Sequence, residues 1–202
     1  MEMNEFGARS LPESLGQLEA LARRAVALDG ANAEARGVLA GTLQRSGDHE
    51  GAVAEAERTL ALAPNLAAAH GTLGAILIHS GRPREGLAAM ERCIRLDPRG
   101  PRLAGRASQM VMGFYLCRDY EAAIAAAKRA IREHPEFPST YRWLAAALGQ
   151  VGRVEEAKEA LEKAIAVAPA AFETYVRQRV PWHRPEDYTH MLDGLRKAGW
   201  QR

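Results

Sequence analysis

A proline recurs along this chain at a nearly fixed interval, and that interval limits what the chain can fold into. Pro64 and Pro98 stand 34 residues apart, as do Pro135 and Pro169, while Pro98 and Pro135 are separated by 37. One further step of 34 before Pro64 reaches Gly30. Counting back from Pro169 meets Ala164, Leu161, Ala157, Gly152, Leu148, Ala145, Leu144 and Tyr141. Apolar positions fall at helical spacing on both sides of Gly152, so each period reads as two amphipathic helices joined by a tight turn. Proline ends the second helix because its ring clashes with a continuing turn and it has no N–H to donate. Small residues at Ala145 and Ala157 leave room for the two helices to approach where they cross.

The same offsets recur upstream. From Pro135 they meet Ala130, Ala127, Ala123, Phe114, Val111 and Met110; from Pro98, Cys93, Met90, Gly86, Gly81, Leu77, Gly74 and Leu73. From Pro64 they meet Thr59, Ala56, Ala52, Gly47, Leu43, Ala40 and Leu39. Before Gly30 only Ala25, Ala22 and Leu18 follow the pattern, so one helix of that pair remains. The pattern resembles the tetratricopeptide repeat. The resemblance implies an all-α fold, an α-solenoid of stacked antiparallel helix pairs wound as a right-handed superhelix. Each pair exposes an apolar face that only a neighbour can cover. An Ala- and Leu-rich chain with few β-branched runs agrees.

Four full repeats are expected, at about 33–64, 67–98, 101–135 and 138–169, after a half repeat at 11–30. Met1–Ser10 has no periodicity and is expected to be disordered or a cloning remnant. The half repeat reads either as an N-terminal cap or as the edge of a longer chain. LEALARRAVALDG has an exposed apolar side typical of an interior repeat, which favours the second. The extra residues between Pro98 and Pro135 fall within Arg99–Leu103. The turns are SGD, SGR, CRD and VGR. Arg118 replaces glycine in the third and is expected in the right-handed or bridge region, since positive φ disfavours it.

After Pro169 the periodicity changes. Phe172, Tyr175 and Val176 predict one short helix ending near Pro181, followed by an extended PWHRP linker. PEDYTHMLDGLRKAG predicts a last helix with Pro185 in its first turn and Gly199 as its stop. Its stripe is Tyr188, Met191, Leu192, Leu195 and Ala198. Residues 170–202 are expected to cap the array, with this helix covering helix 154–167. The concave groove and a second molecule are the other places where its stripe could be buried.

No chemistry of catalysis emerges. A net charge of +2 over 202 residues, with basic residues spread along solvent faces, does not point to nucleic acid. Cys93 and Cys117 are too few for a disulfide framework, and Cys93 takes a small buried place, which suggests a reduced, cytoplasmic protein. No apolar run is long enough to span a membrane, and no leader pattern is present. His183 and His190 lack a third ligand, so no metal site is expected, and His70 reads as a packed imidazole. No phosphate loop, nucleophile–base pair or cofactor motif is found. The expectation is a non-enzymatic chain without a cofactor.

The first helix of each pair is expected to line the concave groove, through Gly37, Gly41 and Gln44, then Gly71, Ala75, Ile78 and His79. Ser108, Gln109, Met112 and Tyr115 follow, then Arg142, Ala146 and Gly149. Chaperone-binding members of the family hold a carboxylate with Lys and Asn at these places. Here Gly37, Gly41, Gly71 and Ser108 stand there, so that activity does not transfer. The candidate recognition patch is Gln109, Met112, Tyr115 and Arg142, with His79 and Ala146 beside it. It would suit a helix or an extended protein segment.

SLPESLGQLEALARRAVALD, the DPRGPRL insertion, the run from CRDYEAA to VGRVEEA and the closing RPEDYTHMLDGLRKAGW together resemble one group. These are the C-terminal repeat regions of bacterial class III adenylate/guanylate cyclase-related proteins, a region also joined to winged-helix regulators. The final DGLRKAG is the most specific match. In that group a catalytic or DNA-binding domain precedes the repeats, and nothing in this chain matches the cyclase's metal or nucleotide residues. The resemblance implies a protein-interaction or scaffold module in a signalling protein. The alternative is a structural element that forms a homodimer through its terminal helices.

Overall fold

The computed structural model describes residues 11–177 and 182–201; the expectation for Met1–Ser10 and the predicted helix end near Pro181 lie outside them. Eleven helices account for nearly all of these residues. A single helix, α1 (Leu11–Leu28), precedes four antiparallel pairs. The pairs are α2 (Ala33–Ser46) with α3 (His49–Leu62), and α4 (Ala67–His79) with α5 (Pro83–Leu96). They continue with α6 (Leu103–Leu116) and α7 (Tyr120–Glu133), then α8 (Pro138–Gln150) and α9 (Val154–Val167). A short α10 (Pro169–Arg177) and a last α11 (Pro185–Lys197) follow. Each helix of the array packs on the next, and the first helices of successive pairs also touch, α2 on α4, α4 on α6 and α6 on α8. This is an α-solenoid, as the periodicity predicts.

Small residues let the helices of the second and fourth pairs approach closely at their crossings. A Cβ placed on Gly86 would come within 2.6 Å of the Gly74 carbonyl oxygen, and one on Gly74 within 2.9 Å of that of Gly86. In the fourth pair Ala145 and Ala157, both fully buried, take these places. Leu73, Leu77, Leu144, Leu148 and Leu161 pack around the crossings. The longer connection falls where the extra residues predict it, at 97–102 between α5 and α6, against 63–66 and 134–137 elsewhere.

The tight turns share one closing hydrogen bond, donated by Asp48, Arg82, Asp119 and Arg153 to Leu43, Leu77, Phe114 and Leu148. In the first, the Gly47 N–H donates to the Gln44 carbonyl and the Asp48 N–H to that of Leu43, a closure that needs a left-handed residue. Gly47, Gly81 and Gly152 supply it with φ of 92°, 78° and 75°. The third turn corrects the expectation for Arg118. It too is left-handed, at φ 65°, with its N–H donating to Tyr115 and that of Asp119 to Phe114. The two carbonyl acceptors fix the backbone path, and a side chain on Cβ does not change which path closes both bonds. Asp48 and Asp119 then cap the next helix, their side chains accepting from the Gly51 and Ala122 N–H groups. Where arginine stands instead, Arg82 and Arg153 pair with Glu85 and Glu156 three residues on.

Two outcomes follow from this packing. Leu73→Ala and Leu144→Ala should each lower unfolding free energy by roughly 2–5 kcal/mol, the range for emptying a helical core position. Arg118→Gly should raise it by about 1 kcal/mol by removing the cost of a left-handed side chain. Urea melts monitored by circular dichroism read both effects.

Candidate functional site

The first helices α2, α4, α6 and α8 present one continuous face, and the chain's own C-terminal segment covers part of it. α11 packs chiefly on α8, with few contacts to α9. This overturns the expectation that it covers helix 154–167. The stripe is as predicted: Met191 and Leu195 are fully buried, with Leu192, Ala198 and Trp200 nearly so. What determines its seat is the groove surface of α8. A Cβ on Gly149 would stand 2.2 Å from the Gly194 carbonyl oxygen, and one on Gly194 2.6 Å from that of Ala146. Facing glycines at this seat let the two helix backbones approach this closely. Full burial of a large aliphatic side chain is worth about 1.5–3 kcal/mol, so the stripe holds the segment down.

Polar contacts tie the segment to successive repeats. Near its start, His183 meets the His49 ring edge-on at 5.2 Å, and Trp182 lies 6.3 Å from His79 and 6.2 Å from Trp143. Further along, the Tyr115 hydroxyl donates to the His190 carbonyl at 2.8 Å, and the Tyr120 hydroxyl meets His190 Nε2 at 3.0 Å. Gln150 Nε2 donates to Asp193 Oδ2 at 3.1 Å, while Lys197 Nζ donates to Gln150 Oε1 at 2.9 Å. The segment therefore crosses the concave side from the first repeats to the fourth.

The candidate patch is thus not an open surface. Tyr115 and Ala146 are fully buried, Met112 is 3% and Arg142 4% exposed, and His79 is buried. Met112, Tyr115 and Ala146 share one apolar cluster with Trp143, Phe172 and Met191. Burial also pushes the Tyr115 phenol well above its ordinary range. Arg142 is covered because Tyr175 of α10 stacks on its guanidinium, 3.6 Å from the ring centroid. Burial lowers the Arg142 pKa to about 10, partly offset by Tyr175. Gln109 is half-buried in α6 with Oε1 unpaired, and it lines a different, open part of the groove.

That open part spans the first three repeats. One cleft of about 590 Å³ is lined by Gly41, Gly71, Ala75, Arg102, Gly105 and Gln109 among others. A second of about 540 Å³ shares Gly41, Arg45 and Arg102 with it and extends to Glu34 and Gly37. Gly37, Gly41, Gln44, Gly71 and Ala75 therefore stand where the periodicity puts them. Arg45 and Arg102 are exposed at the rim, while Arg106 is bonded to Asp97 at 3.4 Å. The residues that sequence reasoning missed are those arginines, and Gln150 of α8 with His190 of the last helix, which meet where α11 packs on α8. His70 lies at the edge, its Nε2 2.9 Å from the Pro64 carbonyl. Among the described residues no helix is long and apolar enough to cross a membrane.

Helix pairs stacked with their first helices on one shared face define a helical-repeat scaffold. Two tetratricopeptide-repeat models match the chain, over residues 118–175 and 67–99, so these stretches are tetratricopeptide repeats. No curated protein matches it in sequence. Among solved structures it is similar to PilW, a type IV pilus biogenesis factor, at 19% identity and a TM-score of 0.72, over 93% of this chain and 83% of that one. A thermophilic repeat protein of Thermus thermophilus matches at 22% identity and a TM-score of 0.66, covering 89% of this chain and 93% of its own. YrrB, a repeat protein with an unusual peptide-binding site, matches at 16% and 0.56, covering 88% and 90%. At these identities the likeness is one of fold.

One titration follows from the covered face. Burial holds the His79 imidazole below its ordinary pKa, against the bond of its Nδ1 to the Ala75 carbonyl, and the His49 and Arg142 charges lower it further. A folded pKa below the unfolded value of about 6.5 means that the unfolded chain takes up the proton first. Stability is then full above about pH 6.5 and declines as the pH falls below it. His79→Gln should shrink the drop in urea midpoint between about pH 7.5 and 5.5; an unchanged drop would assign it to other groups.

Proposed function

We propose that this chain is a non-catalytic protein-interaction scaffold that holds a partner's polypeptide segment in the open stretch of its groove. The observation that carries this reading is the trough shared by the first three repeats, floored by Gly37, Gly41, Gly71 and Gly105. At Gly37, Gly41 and Gly105 the missing side chain leaves room there for a helix or an extended backbone, whereas a Cβ on Gly71 would meet Cys93 Sγ at 2.9 Å. The rim arginines Arg45 and Arg102 offer forked donors to carboxylates or backbone carbonyls. The likeness to YrrB, whose fold carries a peptide-binding site, supports the same use.

In its wider setting we read the chain as the regulatory C-terminal part of a cytoplasmic bacterial signalling protein, such as a nucleotide cyclase or a transcriptional regulator. The support is the resemblance of DPRGPRL and DGLRKAG to that group, and two cysteines that remain free thiols. Self-association is the second reading, favoured by Leu21 and Leu28 of α1, which are 64% and 81% exposed. α11 does not contribute to it, because its stripe is buried within the chain. The solution mass across a concentration series separates the two readings.

The groove is tested by filling it. A Cβ on Gly41 meets nothing within 4 Å, so Gly41→Phe adds bulk to the trough without an internal clash. Its melting temperature should equal or exceed that of the wild type, since glycine is a poor helix former. Pull-downs from the source cell's extract should lose a retained protein with this variant. Identical retained sets with unchanged melting would exclude the trough as the recognition surface.

A further inference from the structure

α10 stands where the first helix of a fifth pair would begin. Phe172 and Tyr175 follow Pro138 and Tyr141 by one 34-residue step, yet α10 has 9 residues where α8 has 13. It rests on α9 and α8 and buries Phe172 and Val176, each 3% exposed. Beneath it Arg142 lies between Tyr175, at 3.6 Å, and Trp143, at 5.5 Å.

This guanidinium lacks the partner that the chain gives its other covered arginines. Arg36 Nη1 stands 2.7 Å from Glu55 Oε2, and Arg106 Nη1 3.4 Å from Asp97 Oδ2. Among the described residues no carboxylate pairs with Arg142. Its Nη2 donates to Ser139 Oγ at 3.1 Å, and its Nε has no partner. Removing a guanidinium from water is costly, and an aromatic face recovers only part of that cost. A carboxylate would recover more, through two parallel N–H···O bonds. A purely structural role would not require this charge, since an apolar residue of like volume fills such a place at least as well.

We propose that α10 is a stand-in, and that its seat on α8 and α9 takes an amphipathic helix of another protein whose carboxylate pairs with Arg142. The pattern follows from the places being taken: apolar at Phe172, acidic at Tyr175 and apolar at Val176. α11 stays in place, since its hold on α8 runs through Gly149 and Gly194, although it shares an apolar cluster with Phe172 and Val176 and the Tyr188 hydroxyl donates to the Val176 carbonyl. The proposal rests on the reading of the chain as an interaction scaffold, but its site is the end of the array and not the open trough.

The probes are two synthetic peptides that copy residues 169–177 between alanine-rich helical flanks, one carrying Tyr175→Glu and the other Tyr175→Gln. The target is the full chain with Phe172→Ala and Tyr175→Ala, which loosen its own α10. Fluorescence anisotropy should show the Glu peptide binding at least about tenfold tighter, the gain expected of one charge-assisted pair. That preference should vanish when Arg142→Leu is added. Equal affinities, or no binding by either peptide to a folded target, would overturn the proposal. So would a concentration-dependent dimer of the loosened chain that excludes the peptides, since the occupant would then be a second copy. If the double variant does not fold, Tyr175→Glu in the otherwise natural chain tests the same pair. Its melting temperature should rise, with no rise in an Arg142→Leu background; no rise in the first chain overturns the proposal. Gly41→Phe should leave the peptide preference unchanged, so failure of the trough and failure of this site are told apart.

Discussion

Close approach of helix backbones through small residues is the constraint on which this molecule depends. An alanine- and glycine-rich crossing lets two helices meet with little side-chain volume between them, and the leucines above and below then interlock. The same device recurs at Gly74 with Gly86, at Ala145 with Ala157 and at Gly149 with Gly194. The first two crossings join the helices of a pair. The third joins a helix of the array to one outside it, which is how the C-terminal segment comes to lie in the groove and not over the end.

The helical pairs were legible because each depends on contacts between residues fewer than 34 positions apart, and those contacts repeat. Helix starts, the short turns and the longer 97–102 connection all follow from such local signals. Arg118 departs from its residue preference because the hydrogen bonds that surround it outweigh that preference. A single side chain's disfavour of positive φ is about 1–2 kcal/mol, less than the two backbone bonds and the Asp119 cap that the turn secures together. The destination of α11 was hidden for a different reason. A stripe such as Met191, Leu192 and Leu195 states that a helix is buried, not on what. The clue was Gly194, read as part of a motif and not as half of a crossing with Gly149.

Placement of groove residues was also readable, but their exposure was not. Offsets from the prolines put Gln109, Met112, Tyr115, Arg142, His79 and Ala146 on the inner face, and each lies on a first helix as expected. Whether such a residue meets water depends on contacts across 40 to 75 positions, such as Gln150 with His190 and Tyr115 with His190. No period encodes those. The covered patch thus became a core of aromatic rings, while the glycines of the first repeats kept an open trough.

This division explains why one groove contains two kinds of surface. Where large side chains line the inner face, in the third and fourth repeats, the chain supplies its own cover from Trp182 to Trp200. Leaving Trp143, Tyr115 and Met112 exposed would present a broad apolar patch to water. Where the lining is glycine and alanine, in the first two repeats and the start of α6, there is little apolar side-chain surface to hide, and an open trough is stable by itself. Arg142, under α10 at the end of the array, fits neither description. It is covered like a core residue but charged like a rim residue, and its surroundings satisfy the first condition without meeting the second.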